Sequence, residues 1–226
     1  MIKGILLDID NTVYRYDSAN SKATECMLDF MSARLSIPKD DIRTAYGRAR
    51  TSTHIELSGT ASSHNRLLYI QGTLELLNAG KVSESLLFYN TYWDAFLSAM
   101  TLNEGVEDFL KEYADTTLCF ITDLTAHIQH RKLEKLGLWK YTDYLTTSEE
   151  AGREKPHPQI FYKSLFKMQL RPDEVIMIGD SFDKDIVGAT NLGIKSYWLN
   201  QDKKPLPRQH ALISEVQSFC DLRGII

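Results

Sequence analysis

Ile5-Leu6-Leu7-Asp8-Ile9-Asp10-Asn11-Thr12 is a short apolar run that ends in two carboxylates one residue apart. A run of this length, bounded by turn residues, predicts a buried parallel strand. Open α/β sheets bind their ligands outside the C-terminal ends of the strands, so Asp8 and Asp10 fall where a ligand would sit. Two acids this close repel each other unless a cation or a proton separates them. Taken alone, the run reads equally well as a strand with an acidic turn cap, and the rest of the chain has to decide.

Three further apolar runs have the same texture, at Thr117–Ile121, Val175–Ile178 and Ser196–Leu199, with a weaker one near Tyr144–Thr147. Helical spacing separates them. Val106, Phe109, Leu110 and Tyr113 form one stripe, and Ile160, Phe161, Leu165 and Met168 form another after Pro158. Ile186, Ala189 and Leu192 follow, with Gly193 as a C-terminal stop. Strands alternating with helices predict an α/β fold, a doubly wound, Rossmann-like parallel sheet with right-handed crossovers.

One interval breaks the alternation. From about Asn20 to Met100 the chain shows helical stripes and no strand: Met27, Phe30, Met31, Leu35; Ile42, Ala45, Tyr46, Ala49; Leu67, Ile70, Leu74, Leu77; and Leu86, Tyr89, Trp93, Phe96, Met100. These stripes predict core packing in an all-helical module inserted beside the paired carboxylates, the place where a lid over an active site would attach. Beyond Asp202 the expectation is a loop through Pro205 and Pro207, then a short helix around Ile213–Phe219.

Composition narrows the function. At 226 residues, 43% hydrophobic and 25% charged, the chain has ordinary globular character and length for one large domain with an insert. A net charge of −4 supplies no global basic field for a nucleic-acid polymer or an anionic membrane. Cys26, Cys119 and Cys220 are scattered, without metal spacing, and read as thiols of a reducing compartment. No stretch is long enough to span a bilayer and no secretory leader is recognisable, so the expected location is cytoplasmic.

Polar groups recur at the other strand ends. Leu118-Cys119-Phe120-Ile121 runs into Thr122-Asp123. Arg153-Glu154-Lys155-Pro156-His157-Pro158 is a rigid basic loop before a helix. Val175-Ile176-Met177-Ile178 runs into Gly179-Asp180, with Asp183 and Asp185 where the next helix begins. Each has a bland reading: a turn hydroxyl, a solvated lysine, a helix-dipole charge. In a parallel sheet, however, all converge on one edge. Several carboxylates, a hydroxyl and an ammonium around one pocket are costly without a bound cation. Mg²⁺ suits oxygen ligands that include one or two carboxylates.

The order and spacing of these clusters, from Ile5 to Leu199, resemble the haloacid dehalogenase-like hydrolase superfamily, and the long helical insert resembles the helical cap of its phosphatase branch. The resemblance implies a core domain over residues 1–15 and 101–226 and a cap over 16–100. It implies a Mg²⁺-dependent phosphatase of a small phosphate monoester, a sugar phosphate or nucleoside monophosphate. Asp8 would be the nucleophile and Asp10 the general acid and base, its pKa raised by neighbouring carboxylates. Asp8, Asp180 and the Asp10 carbonyl would hold Mg²⁺. Thr122 and the Asp123 N–H would bind phosphoryl oxygens, Lys155 would neutralise Asp8 and phosphate, and Asp185 would support Lys155 or a metal-bound water. The dehalogenases of the family lack an equivalent of Asp10, because a halide leaves without a proton, so its presence favours phosphoryl transfer. A phosphomutase and a non-catalytic phospho-ligand binder are the alternatives. A phosphoacceptor receiver domain fits poorly, since its phosphorylated Asp lies on a later strand. His157 stands where the family often carries Asp, and reads as a surface loop residue. In the cap, Arg48, His54, His64 and Arg66, with Tyr14 and Tyr16 near its root, are the specificity candidates. Ser62-Ser63-His64-Asn65 leads into a helix capped by Ser or Asn. The expected assembly is a monomer or homodimer.

Overall fold

The computed structural model describes residues 2–79, 82–142 and 144–224 and divides into two compact units, Met1–Arg15 with Thr101–Ile226, and Tyr16–Met100.

The first unit is built on six parallel strands: β1 (Gly4–Leu7), β2 (Thr117–Thr122), β3 (Tyr144–Thr147), β4 (Val175–Gly179), β5 (Lys195–Leu199) and β6 (Ile213–Val216). Their order is β3-β2-β1-β4-β5-β6. The chain therefore winds outward from β1 through β2 to β3, then returns to β1's other side to lay down β4. The sheet reverses between β1 and β4, and a crevice opens at their C-terminal ends. Register is set with Leu7 opposite both Phe120 and Ile178, so Asp8 and Gly179 are the next residues of β1 and β4 and Asp180 follows one residue later. All residues of β1 and β4 are buried, as expected for strands covered on both faces. Leu6, Cys119 and Met177 pack against Ile160, Phe161 and Leu165 of a covering helix.

The described residues of the second unit form the α-helices α1 (Tyr16–Leu35), α2 (Lys39–Glu56), α3 (Arg66–Leu76) and α4 (Val82–Ala99), with α1 against α4 and α2 against α3. Asn65 caps α3, its side chain accepting from Leu67 N–H at 3.0 Å. The core face of α4 is Phe88, Tyr92, Trp93 and Phe96, while Leu86 is 56% exposed and Tyr89 half-buried. Trp93, Phe96 and Met100 of the sequence stripe are buried, while Leu86 and Tyr89 fall off the core face and Phe88 and Tyr92 take their place, because α4 is apolar nearly all round at Leu86-Leu87-Phe88-Tyr89. Phe30 of the first stripe is likewise exposed.

The remaining helices belong to the sheet unit: α5 (Val106–Glu112), α6 (Ala126–Leu136), α7 (Ser148–Ala151) and α8 (Pro158–Met168). A π-helical turn at Phe182–Val187 runs into Gly188–Thr190. The helix expected around Ile213–Phe219 is instead β6 followed by a 3₁₀ turn at Phe219–Leu222. Ile213 and Val216 are spaced three apart, which mimics a helical stripe. Backbone pairing with β5, Ser196 opposite Ile213, decides for the strand. Among the described residues no helix is long and apolar enough to cross a membrane.

Candidate active site

The site forms at the crevice because each strand there ends in a short polar side chain. Asp8 follows β1 and is buried. Its Oδ1 lies 2.5 Å from Lys155 Nζ, and its Oδ2 accepts from Thr12 Oγ1 at 2.7 Å. Thr12, also buried, accepts in turn from the Asp180 N–H at 3.1 Å, joining the ends of β1 and β4. Lys155 reaches in from the loop between α7 and α8, and its ammonium lies 2.7 Å from Asp185 Oδ1. Asp185 is fixed by the π-helical turn, its Oδ2 accepting the Ser181 N–H at 3.0 Å. Gly179 makes room for that carboxylate.

Asp8, Asp180 and Asp185 each present an oxygen within 4.8 Å of the others. Three carboxylates crowd one ammonium, and their acidities show it. Burial pushes Asp8 well above the ordinary carboxylate range, against the attraction of Lys155 and with the repulsion of Asp185 and Asp180. Burial and then Asp185 push Asp180 up to about 7. Burial raises Asp185 as well, against the pull of Lys155. Lys155 is raised although burial acts to lower it, because Asp185, Asp8 and Asp123 favour its charge. The excess negative charge calls for protons or a cation, and the donors are all hard oxygens, a set that fits a divalent ion such as Mg²⁺. The side chain completing the cluster is Asp185. The Asp10 carboxylate stands apart from it.

Asp10 has different company. Its side chain keeps 29% of its exposure and is paired with Lys132 of α6, which has none. Lys132 Nζ lies 2.6 Å from Oδ1 and 2.9 Å from Oδ2. Tyr14 Oη also donates to Oδ1, and Gln129 Nε2 lies 3.3 Å from Oδ2. Burial acts to raise Asp10, but the charge and hydrogen bonds of Lys132, with those of Tyr14 and Gln129, outweigh it and hold the carboxyl below its ordinary range. The expectation that neighbouring carboxylates raise Asp10 is therefore corrected: a buried ammonium faces it, and the resting group is an anion.

Thr122 ends β2 and is buried, its hydroxyl 2.8 Å from Gln129 Nε2 and 3.2 Å from the Asp123 carbonyl. The Asp123 carboxylate accepts the Lys155 N–H at 3.0 Å and Lys184 Nζ at 2.8 Å, so it braces the loop that presents Lys155. Next to it Leu124 has φ +94°, a backbone region that costs a branched side chain energy, and its N–H donates to Ser148 Oγ at 2.9 Å. His157 caps α8, accepting the Gln159 N–H at 3.2 Å, and is exposed.

The structure thus brings Asp8, Asp10, Thr122, Asp123, Lys155, Asp180 and Asp185 to one edge of one sheet. Sequence reasoning missed Thr12, Gln129 and Lys132. The last two lie three apart on α6, and Gln129-x-x-Lys132-Leu133 resembles any amphipathic helix face until burial is known. In the helical unit Arg48 is exposed and lines a cavity of about 590 Å³ with Ser52 and Glu75. His54 and His64 are half-buried, with ring centroids 4.8 Å apart. Arg66 is buried. Its guanidinium lies 5.5–5.9 Å from the ring centroids of Tyr69, Tyr92, Tyr16 and Trp93. It donates to the His64 carbonyl and to Tyr16 Oη. Its Nε has no partner among the described residues.

This geometry has relatives. Residues 5–199 match the haloacid dehalogenase-like hydrolase family. A ribulose-1,5-bisphosphate 5-phosphatase of Halopiger xanaduensis is 32% identical over 200 residues, 87% of this chain and 84% of that protein. A pyrimidine 5'-nucleotidase of Escherichia coli is 26% identical over 98% of this chain and 96% of its own. A HAD-hydrolase of Bacillus subtilis solved bound to magnesium superposes with a TM-score of 0.69 at 22% identity, covering 99% of this chain and 98% of that one. The crossover topology, the acidic cluster at the switch point and these likenesses agree: the chain belongs to the haloacid dehalogenase-like hydrolases, among their phosphoric monoester hydrolases.

Proposed function

We propose that the chain hydrolyses a sugar phosphate or a nucleoside monophosphate through an aspartyl phosphate on Asp8. The observation that carries this is the environment of Asp8. One carboxylate oxygen is held by Lys155, the other by Thr12, and two further carboxylates lie within reach of a shared cation. A free Asp carboxylate is a weak nucleophile toward an anionic ester, and each of these contacts offsets repulsion or fixes direction.

In the first half-reaction an Asp8 oxygen bonds to phosphorus as the P–O bond to the alcohol breaks; Asp10, an anion at rest, first takes up a proton from solvent against the pull of Lys132 and delivers it to the leaving oxygen. In the second, Asp10 takes a proton from water as its oxygen attacks the same phosphorus. This frees inorganic phosphate and restores Asp8. Lys155 balances charge on Asp8 and on the transferring group throughout, as a compact point charge. Thr122 and the Asp123 N–H hold a phosphoryl oxygen. Asp8, Asp180 and the Asp10 carbonyl, supported by Asp185, would hold Mg²⁺, which supplies positive charge against the phosphoryl oxygens. The helical unit serves as the cap that selects the alcohol, with Arg66 placed first among its candidates for a second anionic group, ahead of His64 and Arg48. The composition and the reduced thiols fit a cytoplasmic enzyme.

The test is phosphate release from a panel of sugar phosphates and nucleotides, with Mg²⁺ and with chelator, for wild type and Asp8→Asn. Mg²⁺-dependent release that disappears in Asp8→Asn is the expected result. Isomerisation of a sugar phosphate without release would make the chain a mutase, and binding without turnover would make it a phospho-ligand binder.

A further inference from the structure

Asp10 carries two proton transfers in the mechanism above, yet it sits on a turn, one residue beyond Ile9 and next to Asn11, whose φ is +61°. A carboxylate on a turn rotates about two side-chain bonds. Proton transfer in the transition state needs it aimed to within a fraction of an ångström. Something outside the turn must supply that aim.

The first turns of α6 supply it. Gln129 and Lys132 lie three residues apart, on one face of the helix, and both are fully buried. Lys132 grips both Asp10 oxygens, at 2.6 and 2.9 Å. Its ammonium lies 5.8 Å from the ring centroid of Tyr14, whose hydroxyl donates to the same Oδ1. Gln129 Nε2 spans Asp10 Oδ2 at 3.3 Å, Thr122 Oγ1 at 2.8 Å and the Asp123 carbonyl at 2.7 Å. One helix therefore ties the loop after β1 to the end of β2. A fully buried lysine facing a partly exposed carboxylate is poor design for anchoring the helix, since an apolar side chain there would serve stability as well or better. It is good design for fixing a carboxylate.

We infer that Lys132, with Gln129 beside it, is a positioning residue for Asp10: it fixes the orientation of the carboxylate, and Oδ2, whose second donor is the longer 3.3 Å contact, is the oxygen that exchanges the proton. The inference rests on the reading of Asp10 as acid and base.

The test separates aim from architecture through the leaving group. The probes are glycerol 2-phosphate, whose alkoxide leaves only with a proton, and p-nitrophenyl phosphate, whose phenolate leaves without one. For both, kcat/KM reports the first half-reaction. In Lys132→Met the expected fall is about 10–100-fold for the alkyl ester, a part of the roughly 10²–10⁴-fold that acid catalysis supplies, and less than about threefold for the aryl ester. Combining it with Asp10→Asn should add less than about threefold to the alkyl loss of Asp10→Asn alone. Circular dichroism reports folding, and if Lys132→Met does not fold, Gln129→Leu carries the same comparison. Equal losses for the two esters, or additive losses in the double variant, would overturn the inference, whereas a leaving-group-selective loss in Asp10→Asn alone would leave the acid–base reading standing. If Asp10→Asn shows no selectivity, that reading fails and the inference with it.

Discussion

The Asp185 carboxylate lies so close against Gly179 that a Cβ on the glycine would stand 2.3 Å from Oδ2 and 2.5 Å from Cγ. The glycine is required by space and not by backbone angle. It ends β4, and the next residue is Asp180. Gly179→Ala should therefore push Asp185 off Lys155 while the sheet survives. We expect a stability loss of about 1–3 kcal/mol, typical of forced overpacking. Activity should fall by about 100-fold, because a shift of an ångström at a catalytic carboxylate costs that much. Chemical denaturation and steady-state kinetics on the same preparation give both numbers. Unchanged kinetics would mean that Asp185 has no part in turnover.

Asp8 and Asp185 share the Lys155 ammonium, at 2.5 and 2.7 Å. Lys155→Met leaves those buried carboxylates without it, and removing one partner of a buried ion pair costs about 3–5 kcal/mol. Urea unfolding in the presence of chelator should show a loss of that size. Adding Mg²⁺ should recover part of the stability and none of the activity, since the lysine's charge on the phosphoryl group is not replaced. A variant as stable as wild type in chelator would show that the pair does not hold the edge of the sheet.

The sheet's logic was legible from residue order. Four of the strands are bounded by unmistakable apolar runs, and placing polar residues at their C-terminal ends needs only the parallel topology. What could not be read depends on burial. Lys132 is one lysine among several on a helix of mixed character, and only its complete enclosure beside Asp10 marks it. Ile213–Val216 is too short for its pattern to distinguish strand from helix. Its place is set by hydrogen bonds to β5, a non-local fact. The core face of α4 was undetermined for the opposite reason, an excess of apolar residues.

Acidity should couple to metal binding. Asp180 stands at about 7 in the metal-free protein, and Asp8 and Asp185 are raised as well. A carboxyl whose pKa is raised by folding holds more protons in the native state than in the unfolded chain between its two values. Native stability from Asp180 is therefore full below about pH 4 and is lost as the pH rises through about 7, and the raised Asp8 and Asp185 act in the same direction. A divalent ion displaces those protons. Below the raised pKa values, Mg²⁺ should bind about tenfold more weakly per pH unit for each proton released. Calorimetric titration at pH 5.5 and 7.5, in buffers of different ionisation enthalpy, measures both affinity and proton release. Affinity independent of pH over that interval would place the ion elsewhere.

Arg66 presents the opposite imbalance, a buried cation with no carboxylate paired to it among the described residues. Four aromatic rings surround it, and cation–π attraction from such rings offsets part of its desolvation. A buried charge costs desolvation, and removing Arg66 strands no paired carboxylate among the described residues, so its loss is offset by the desolvation recovered. Arg66→Met should therefore change unfolding free energy by no more than about 1 kcal/mol, or raise it. If the guanidinium meets a second anionic group of the substrate, KM for a bisphosphorylated or carboxylated ester should rise at least about tenfold, a loss expected when a charged hydrogen-bond partner disappears. KM for p-nitrophenyl phosphate, which has no such group, should hardly move. A parallel rise for both esters would make Arg66 a structural member of the helical unit, and an unchanged KM for both would pass the specificity role to His64 or Arg48.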